Sequence, residues 1–486
     1  FCQGDYSAFQ NRYPLASIVI WYLFITILGW VFYPTGRIVF RGLSDKGVPL
    51  LKLTGLILWA LTVWWLGSSG MAVTRLTVLL ALLGLIGINL LFTWKNWSAI
   101  RAELRVNYKK FLCFELTALG FFVFFLAVRL GNPDLWHPYK GGEKPMDFSY
   151  FNAVLKSETF PPYDPWYAGG YINYYYYGFV LAAMPVKLLG IVPAIAYNLI
   201  LPSFFSFTAM GAFSVGWNLH DGLNFGYQEQ PRQERTAWKK WIEKPFTLGL
   251  ASAIFVLLIG NLGTIVMIVQ GFQKIAASGL PIETSNILQR TRLLFEGIGL
   301  FLRGKGFTYY PGDWYWIPSR AIPGEAITEF PYFTYLYGDP HAHLFAYPIT
   351  LTGLGWILAL LRNRLEQSKI SHTVLQLTCG AVFIGSLKPT NTWDYPVFLF
   401  IALIILAYIL IRYRKVPEKF FNYFPANLRK ILWVLLIEAG FIAFSYLLYY
   451  PFSAYYGQAY AAVDFWQGDH TPLSSYLTHW GFFLFI

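Results

Sequence analysis

VTRLTVLLALLGLIGINLLF, residues 73–92, carries a single charged side chain, Arg75, in twenty positions. As a helix rising about 1.5 Å per residue it reaches about 30 Å, the thickness of a bilayer's hydrocarbon core. Arg75 stands near its edge, where a long side chain snorkels to the headgroups or finds a partner, as does Glu438 in a later run. Comparable runs recur: Leu15–Phe32, Leu51–Leu66, Phe111–Val128, Ile195–Trp217, Phe246–Val269, Leu344–Leu361, Val374–Leu387, Val397–Ile411 and Ile431–Tyr449. None alternates as a barrel strand does. In lipid each must satisfy its backbone internally, which leaves the helix. The expected fold is all-α, a polytopic transmembrane helical bundle.

Composition agrees. Of 486 residues, 56% are hydrophobic and 13% charged, against about 25% charged in a soluble domain. The net charge of +12 does not point to nucleic acid, because no basic motif interleaved with aromatics stands in a soluble segment. The positive-inside bias of membrane proteins accounts for it. Cys2, Cys113 and Cys379 are dispersed, with no metal-ligand spacing and no evident disulfide. The sequence lacks an initiating Met and stops within HWGFFLFI, which reads as the start of another span. It is expected to be a fragment of a longer chain, with residues 1–486 forming a single multi-pass domain of the cell membrane.

Loop charges set sidedness. Arg37, Arg41 and Lys46 follow the first run; Lys95, Arg101, Arg105, Lys109 and Lys110 follow the third. Both connections belong inside. The acid-rich loop 130–170, with Asp134, Glu143, Asp147, Glu158 and Asp164, then faces out. Counting back from the cationic segments 362–369 and 412–430 places LKPTNTWDYP and the segment 271–345 outside too, and 451–475 is a further outward loop. An even number of spans must separate the two long outer loops, yet three apolar stretches lie between them. If Tyr171–Leu189 is the one that does not cross, Arg232, Arg235, Lys239 and Lys240 fall inside. That stretch opens YINYYYYGF and holds Pro185, Lys187 and Gly190 near its end. It reads as an interfacial or partly inserted helix with phenols at headgroup level. An ordinary span starting at an aromatic belt is the alternative.

The polar clusters gather on this outer face. Glu143 and Asp147 stand at i and i+4, so a helix would put both carboxylates on one side. Like charges that close raise one pKa, which suits a general base or cation binding; a solvated acidic loop is the plain alternative. A second cluster, from Gly312 to Pro348, is dense in Trp and Tyr and holds Arg320, Glu325, Glu329 and Asp339. It ends in His341-x-His343, whose side chains would share a side in an extended loop. Asp339 with these histidines is a candidate metal or phosphate site; substrate hydrogen bonding or helix capping fits the histidines equally. Aromatic plates among carboxylates suit a sugar, and also a membrane-interface belt. Lys388, Asn391 and Asp394 lie where a span emerges. Asp464, Asp469 and His470 form a last polar group.

EKPMDFSYFNAVLKSETFPPYDPWYAGGYINYYYYG, with LYGDPHAH, NTWDYP and VFRGLSDKGVPLLK, resembles the YYY-domain family of uncharacterised membrane proteins. That family implies no reaction. The overall plan is similar, more distantly, to the GT-C superfamily of membrane glycosyltransferases: many spans, an acidic first outer loop against the membrane, then a short Tyr/Pro-rich helix. This resemblance implies a GT-C-like core over 111–486, with 1–110 as added N-terminal helices. Three helical runs precede the acidic loop here, whereas GT-C enzymes usually have one.

It also implies sugar transfer from a polyprenyl-phosphate carrier on the outer face, to an acceptor the sequence does not name. Asp147 or Glu143 would deprotonate the acceptor hydroxyl or orient a divalent cation, Mg or Mn. Arg320, Lys388 and His341 or His343 would stabilise the departing phosphate, with Asn391 and Asp394 also binding substrate. Tyr174, Tyr175 and Tyr176 would line the mouth for a lipid chain. The rival expectations are a multi-pass transporter or flippase of a lipid or polar solute, and a non-catalytic scaffold.

Overall fold

The computed structural model describes residues 5–136, 142–223, 244–277, 285–322, 324, 326–365, 369–416, 423–457, 462, 464 and 465–485. The cationic segment 224–243 and Glu325 lie outside these. The chain divides into two compact units, Phe1–Ile254 with Gly338–Ala459, and Phe255–Tyr337 with Tyr460–Ile486.

Among the described residues nine helices are long and apolar enough to cross a membrane. Four precede the acidic loop, one for each apolar run before it, although the comparison with GT-C enzymes took three: α1 (Pro14–Val31), α3 (Leu51–Ser68), α4 (Arg75–Lys95) and α5 (Trp97–Gly131), with the short α2 (Tyr33–Val39) after α1. The acidic loop carries α6 (Lys144–Lys156), and α7 (Tyr177–Leu189) leads into α8 (Pro193–Leu223). Next come α9 (Pro245–Leu257), α10 (Gly263–Ala277), α11 (Ile287–Leu302) and α12 (Pro331–Tyr337). The remaining spans are α13 (Ala342–Asn363), α14 (Ile370–Thr390), α15 (Asp394–Tyr413) and α16 (Ala426–Leu447); α17 (Leu473–Phe485) is shorter.

Two expectations about the helices change. Phe246–Val269 is not one helix: it breaks between α9 and α10. At the break the Asn261 side chain accepts from Gly263 N at 2.8 Å and donates to Pro318 O at 2.8 Å, an Asx turn that competes with helical bonding. The tyrosine-led stretch also differs. At 13 residues, α7 is too short to cross a bilayer unaided. It does not lie on the surface, however, since residues 177–187 are all buried in protein. Lys187 is held among them by donating to Val73 O at 3.0 Å and Ser157 O at 2.9 Å.

Within the first unit the cationic connections meet at one end. Lys110 Nζ donates to Ser44 O at 2.9 Å, and Asn218 Oδ1 accepts from Ser44 N at 2.8 Å. Arg362, at the far end of α13, donates to Asn218 O at 2.6 Å. Asp45, fully buried there, accepts from Ser214 Oγ at 2.5 Å and Gly47 N at 2.8 Å. The 22 residues of α13 span about 33 Å at 1.5 Å per residue. Its first residue therefore lies at the other end of the bundle from Arg362. That other end is where the acidic loop sits.

Candidate functional site

α6 begins at Glu143, which serves as its N-cap, and Lys144-Pro145 occupy the opening positions, where proline costs no hydrogen bond. Helical geometry then stacks Asp147 one turn above Glu143, with Asp147 N donating to Glu143 O at 3.0 Å. On the partner segment, Gly338 adopts φ +75°, a conformation open to glycine. The turn it makes delivers Asp339-Pro340-His341 to the start of α13, where His341 is the N-cap.

The two segments meet through the His341 ring. Its Nε2 lies 2.5 Å from Glu143 Oε2, and its Nδ1 stands 3.2 Å from Asp147 Oδ2 and 3.6 Å from Asp339 Oδ2. Asp339 Oδ2 also accepts from Glu143 N at 3.3 Å. The Asp147 side chain is wholly buried, and neither of its oxygens has an aligned hydrogen bond among the described residues. Its contact with His341 is electrostatic. A buried carboxylate left like this is costly and calls for a reason, commonly catalysis or ion binding.

Burial pushes the Asp147 carboxyl up to about 6 against the opposing pull of His341, with smaller like-charge contributions from Asp339 and Glu143. The like-charge effect expected of Glu143 is thus the least of these causes. For His341, burial alone would lower the pKa, but Asp147, Asp339 and Glu143 outweigh it and hold the imidazole at about 10. Between those values the couple is a carboxylate facing an imidazolium.

Sequence reasoning missed the cations behind this pair. Arg129, buried at the end of α5, donates to Asn198 Oδ1 at 2.7 and 3.1 Å and to Asp134 O at 3.3 Å. Lys144 is buried, which lowers its pKa; Arg129 adds to that lowering, and Asp339 and Asp134 oppose it. A charge closing an otherwise apolar run was the available signal for Arg129. Tyr197 of α8 donates to Gly338 O at 3.2 Å and so braces the turn.

The remaining expected residues divide. His343 does not join His341 on one side, because it lies in the first turn of α13 rather than in extended chain; the ring centroids are 5.9 Å apart. It stands within electrostatic reach of Asp394, which accepts from Asn391 Nδ2 at 2.9 Å. Lys388 packs its ammonium over the Tyr446 ring at 3.6 Å. Tyr174 lies beside Tyr150 of α6, centroids 6.0 Å apart, and burial followed by the charges of Asp147 and Glu143 raises its phenol pKa. Tyr175 pairs with Tyr456 at 5.8 Å. Tyr176 is core: it accepts from Trp64 Nε1 at 3.3 Å and stacks on Phe160. Arg320 belongs to the second unit, where its guanidinium covers Trp316 at 4.1 Å.

The donor set fits a divalent cation. Asp147, Asp339 and His341 offer ligand atoms within 4.8 Å of one another, and octahedral ligands at about 2.1 Å from a metal sit about 3 Å apart. Glu143 on the second ring nitrogen would complete a carboxylate–histidine–metal arrangement. A family model described as "Uncharacterized membrane protein (DUF2298)" matches residues 58–486. No curated protein and no solved structure matches the chain.

Proposed function

We propose that this chain, which belongs to the DUF2298 family of uncharacterized membrane proteins, is a glycosyltransferase of GT-C type drawing its sugar from a polyprenyl-phosphate carrier. The observation that carries the reading is the buried Asp147 carboxylate, held near neutrality at one end of a transmembrane bundle and facing His341 at 3.2 Å. The expected cell membrane location and outer-face chemistry belong to the same reading.

A general base works best with a pKa close to the working pH. Asp147 takes the proton from an acceptor hydroxyl as that oxygen bonds to the anomeric carbon. The bond from the anomeric carbon to the carrier phosphate breaks, and the phosphate leaves with the electron pair. His341 stays protonated and balances the carboxylate's charge. Lys388 and His343 are the first-unit candidates for meeting the phosphate, where charge-assisted donors are strongest. A Mg or Mn ion held by Asp147, Asp339 and His341 would take the place of the His341 Nδ1 proton, since a ring nitrogen that binds metal carries none, and would then balance the carboxylates and supply positive charge for the departing phosphate. Two carboxylates with one imidazole suit Mn better than Mg.

Asp147→Asn keeps the shape and removes the base. Purified protein given candidate polyprenyl-phosphate sugars should lose about 10²- to 10⁴-fold in transfer rate, while His343→Gln should lose less. Undiminished transfer by Asp147→Asn eliminates the proposed base.

A transport reading rests on a different observation, the ion pair of Lys52 on α3 with Glu115 on α5 inside the spanning bundle. Ionisable pairs at membrane depth mark translocation paths by default. Lys52→Met would abolish substrate-dependent flux under that reading and leave sugar transfer intact under the first.

A further inference from the structure

In the second unit, α10 and α11 pack as a hairpin through Gly297, where a methyl group would collide with the Phe272 carbonyl. Gln273 Nε2 donates to Arg290 O at 3.0 Å across the same interface. The Asn286–Gln289 capping box starts α11 sharply. The opposite face is open. Leu288, Phe295 and Leu302 recur every seventh residue, which keeps them on one line within about 20° per heptad. They are 81%, 67% and 80% exposed, with Ile287 82% exposed beside them. Arg292 and Arg303 fall on the flank next to this stripe, and Arg290 and Lys305 stand near its two ends, all exposed. Glu296 is the helix's lone acid and accepts from Arg292 at 2.7 Å.

We propose that α11 is a membrane-surface anchor, with Leu288, Phe295 and Leu302 among the acyl chains and Arg292, Arg303 and Lys305 on the phosphates of anionic lipids. Its 16 residues reach about 24 Å, short of the ~30 Å core, and cations near both ends oppose insertion end-on. An apolar sector bordered by a basic one is the form a helix takes when it lies flat in the headgroup layer. The surplus of cations selects a negatively charged leaflet, which attracts basic side chains within a Debye length. A protein partner would cover the stripe without requiring that basic flank.

The test uses the full chain in lipid nanodiscs, in a background with Cys2, Cys113 and Cys379 replaced. A fluorophore is placed at Phe295→Cys on the stripe and, separately, at Glu296→Cys on the flank. Brominated acyl chains should quench the first several-fold more than the second. Replacing a third of the neutral phosphatidylcholine by phosphatidylglycerol should strengthen that quenching, and Arg292→Glu with Arg303→Glu should remove the lipid dependence. Both labels reached equally by aqueous iodide would overturn the anchor. So would a Phe295→Cys label shielded from both quenchers, which would mean the stripe meets another copy of the chain. Quenching unchanged by phosphatidylglycerol would overturn the anionic-lipid assignment.

Discussion

His341 and Glu143, 198 positions apart in sequence, close to 2.5 Å between Nε2 and Oε2. This contact joins the acidic loop after α5 to the N-terminus of α13 and puts both on the same side of the bundle. The other ring nitrogen is thereby turned toward Asp147 and Asp339. Fixing one nitrogen of an imidazole decides what the other does, and here Glu143 is the residue that fixes it.

The couple should respond to pH in a definite direction. In chelator-treated protein, the His341 ring followed by NMR should remain imidazolium until about pH 10, and Asp147→Asn should bring its titration down. Both groups hold protons more tightly folded than unfolded: Asp147 at about 6 against 3.8, His341 at about 10 against 6.5. By linkage, stability then falls as pH rises through each interval. Transfer instead needs Asp147 ionised, so its rate should climb through about pH 6 as the acid limb of the pair's profile. A His341 ring titrating near its ordinary value would mean the carboxylates do not act on it as the geometry requires.

Cation binding separates ligand from support. Manganese added to chelator-treated protein should bind at one site, read by loss of the free-ion electron paramagnetic resonance signal. Asp339→Asn removes a ligand and should abolish tight binding. Glu143→Gln leaves all three ligands and should weaken it about 10- to 100-fold, as loss of an outer carboxylate does. If the wild-type protein leaves the free-ion signal unchanged at millimolar manganese, the ion drops out of the mechanism and Asp147 acts with His341 alone.

What the sequence disclosed follows the range of each interaction. Apolar run length and cationic loops specify spans locally, so the bundle and most of its helices were legible. Glu143 with Asp147, and Asp339 with His341, are neighbours in sequence, and helix and turn geometry were enough to pair them. That the two pairs share one imidazole depends on Gly338 and on the packing of α13 against α8, which no local pattern carries. Burial misled twice. The tyrosines looked interfacial because phenols suit headgroups, yet Tyr176 and Tyr177 are enclosed by Trp64 and Tyr449. Arg129 and Lys144 sit at loop edges in sequence and were passed over, yet both are buried behind the acidic cluster.

Packing beneath the site offers a test independent of its chemistry. Gly178 of α7 lies against Phe345, one turn along α13 from His341, and a methyl group at Gly178 would overlap that ring. Phe345 also meets Phe204 at 4.9 Å and Phe179 at 5.3 Å, so it has little room to retreat. Gly178→Ala should therefore cost about 1–3 kcal/mol by overpacking and lower the thermal midpoint in detergent. Phe345→Leu alone should also destabilise, through lost contacts. Combined, the two should be less harmful than their sum, because the smaller side chain leaves space for the methyl group. Strict additivity would show that α7 and α13 do not share this contact. The short tyrosine helix would then not be what holds the start of α13, and with it His341, in register.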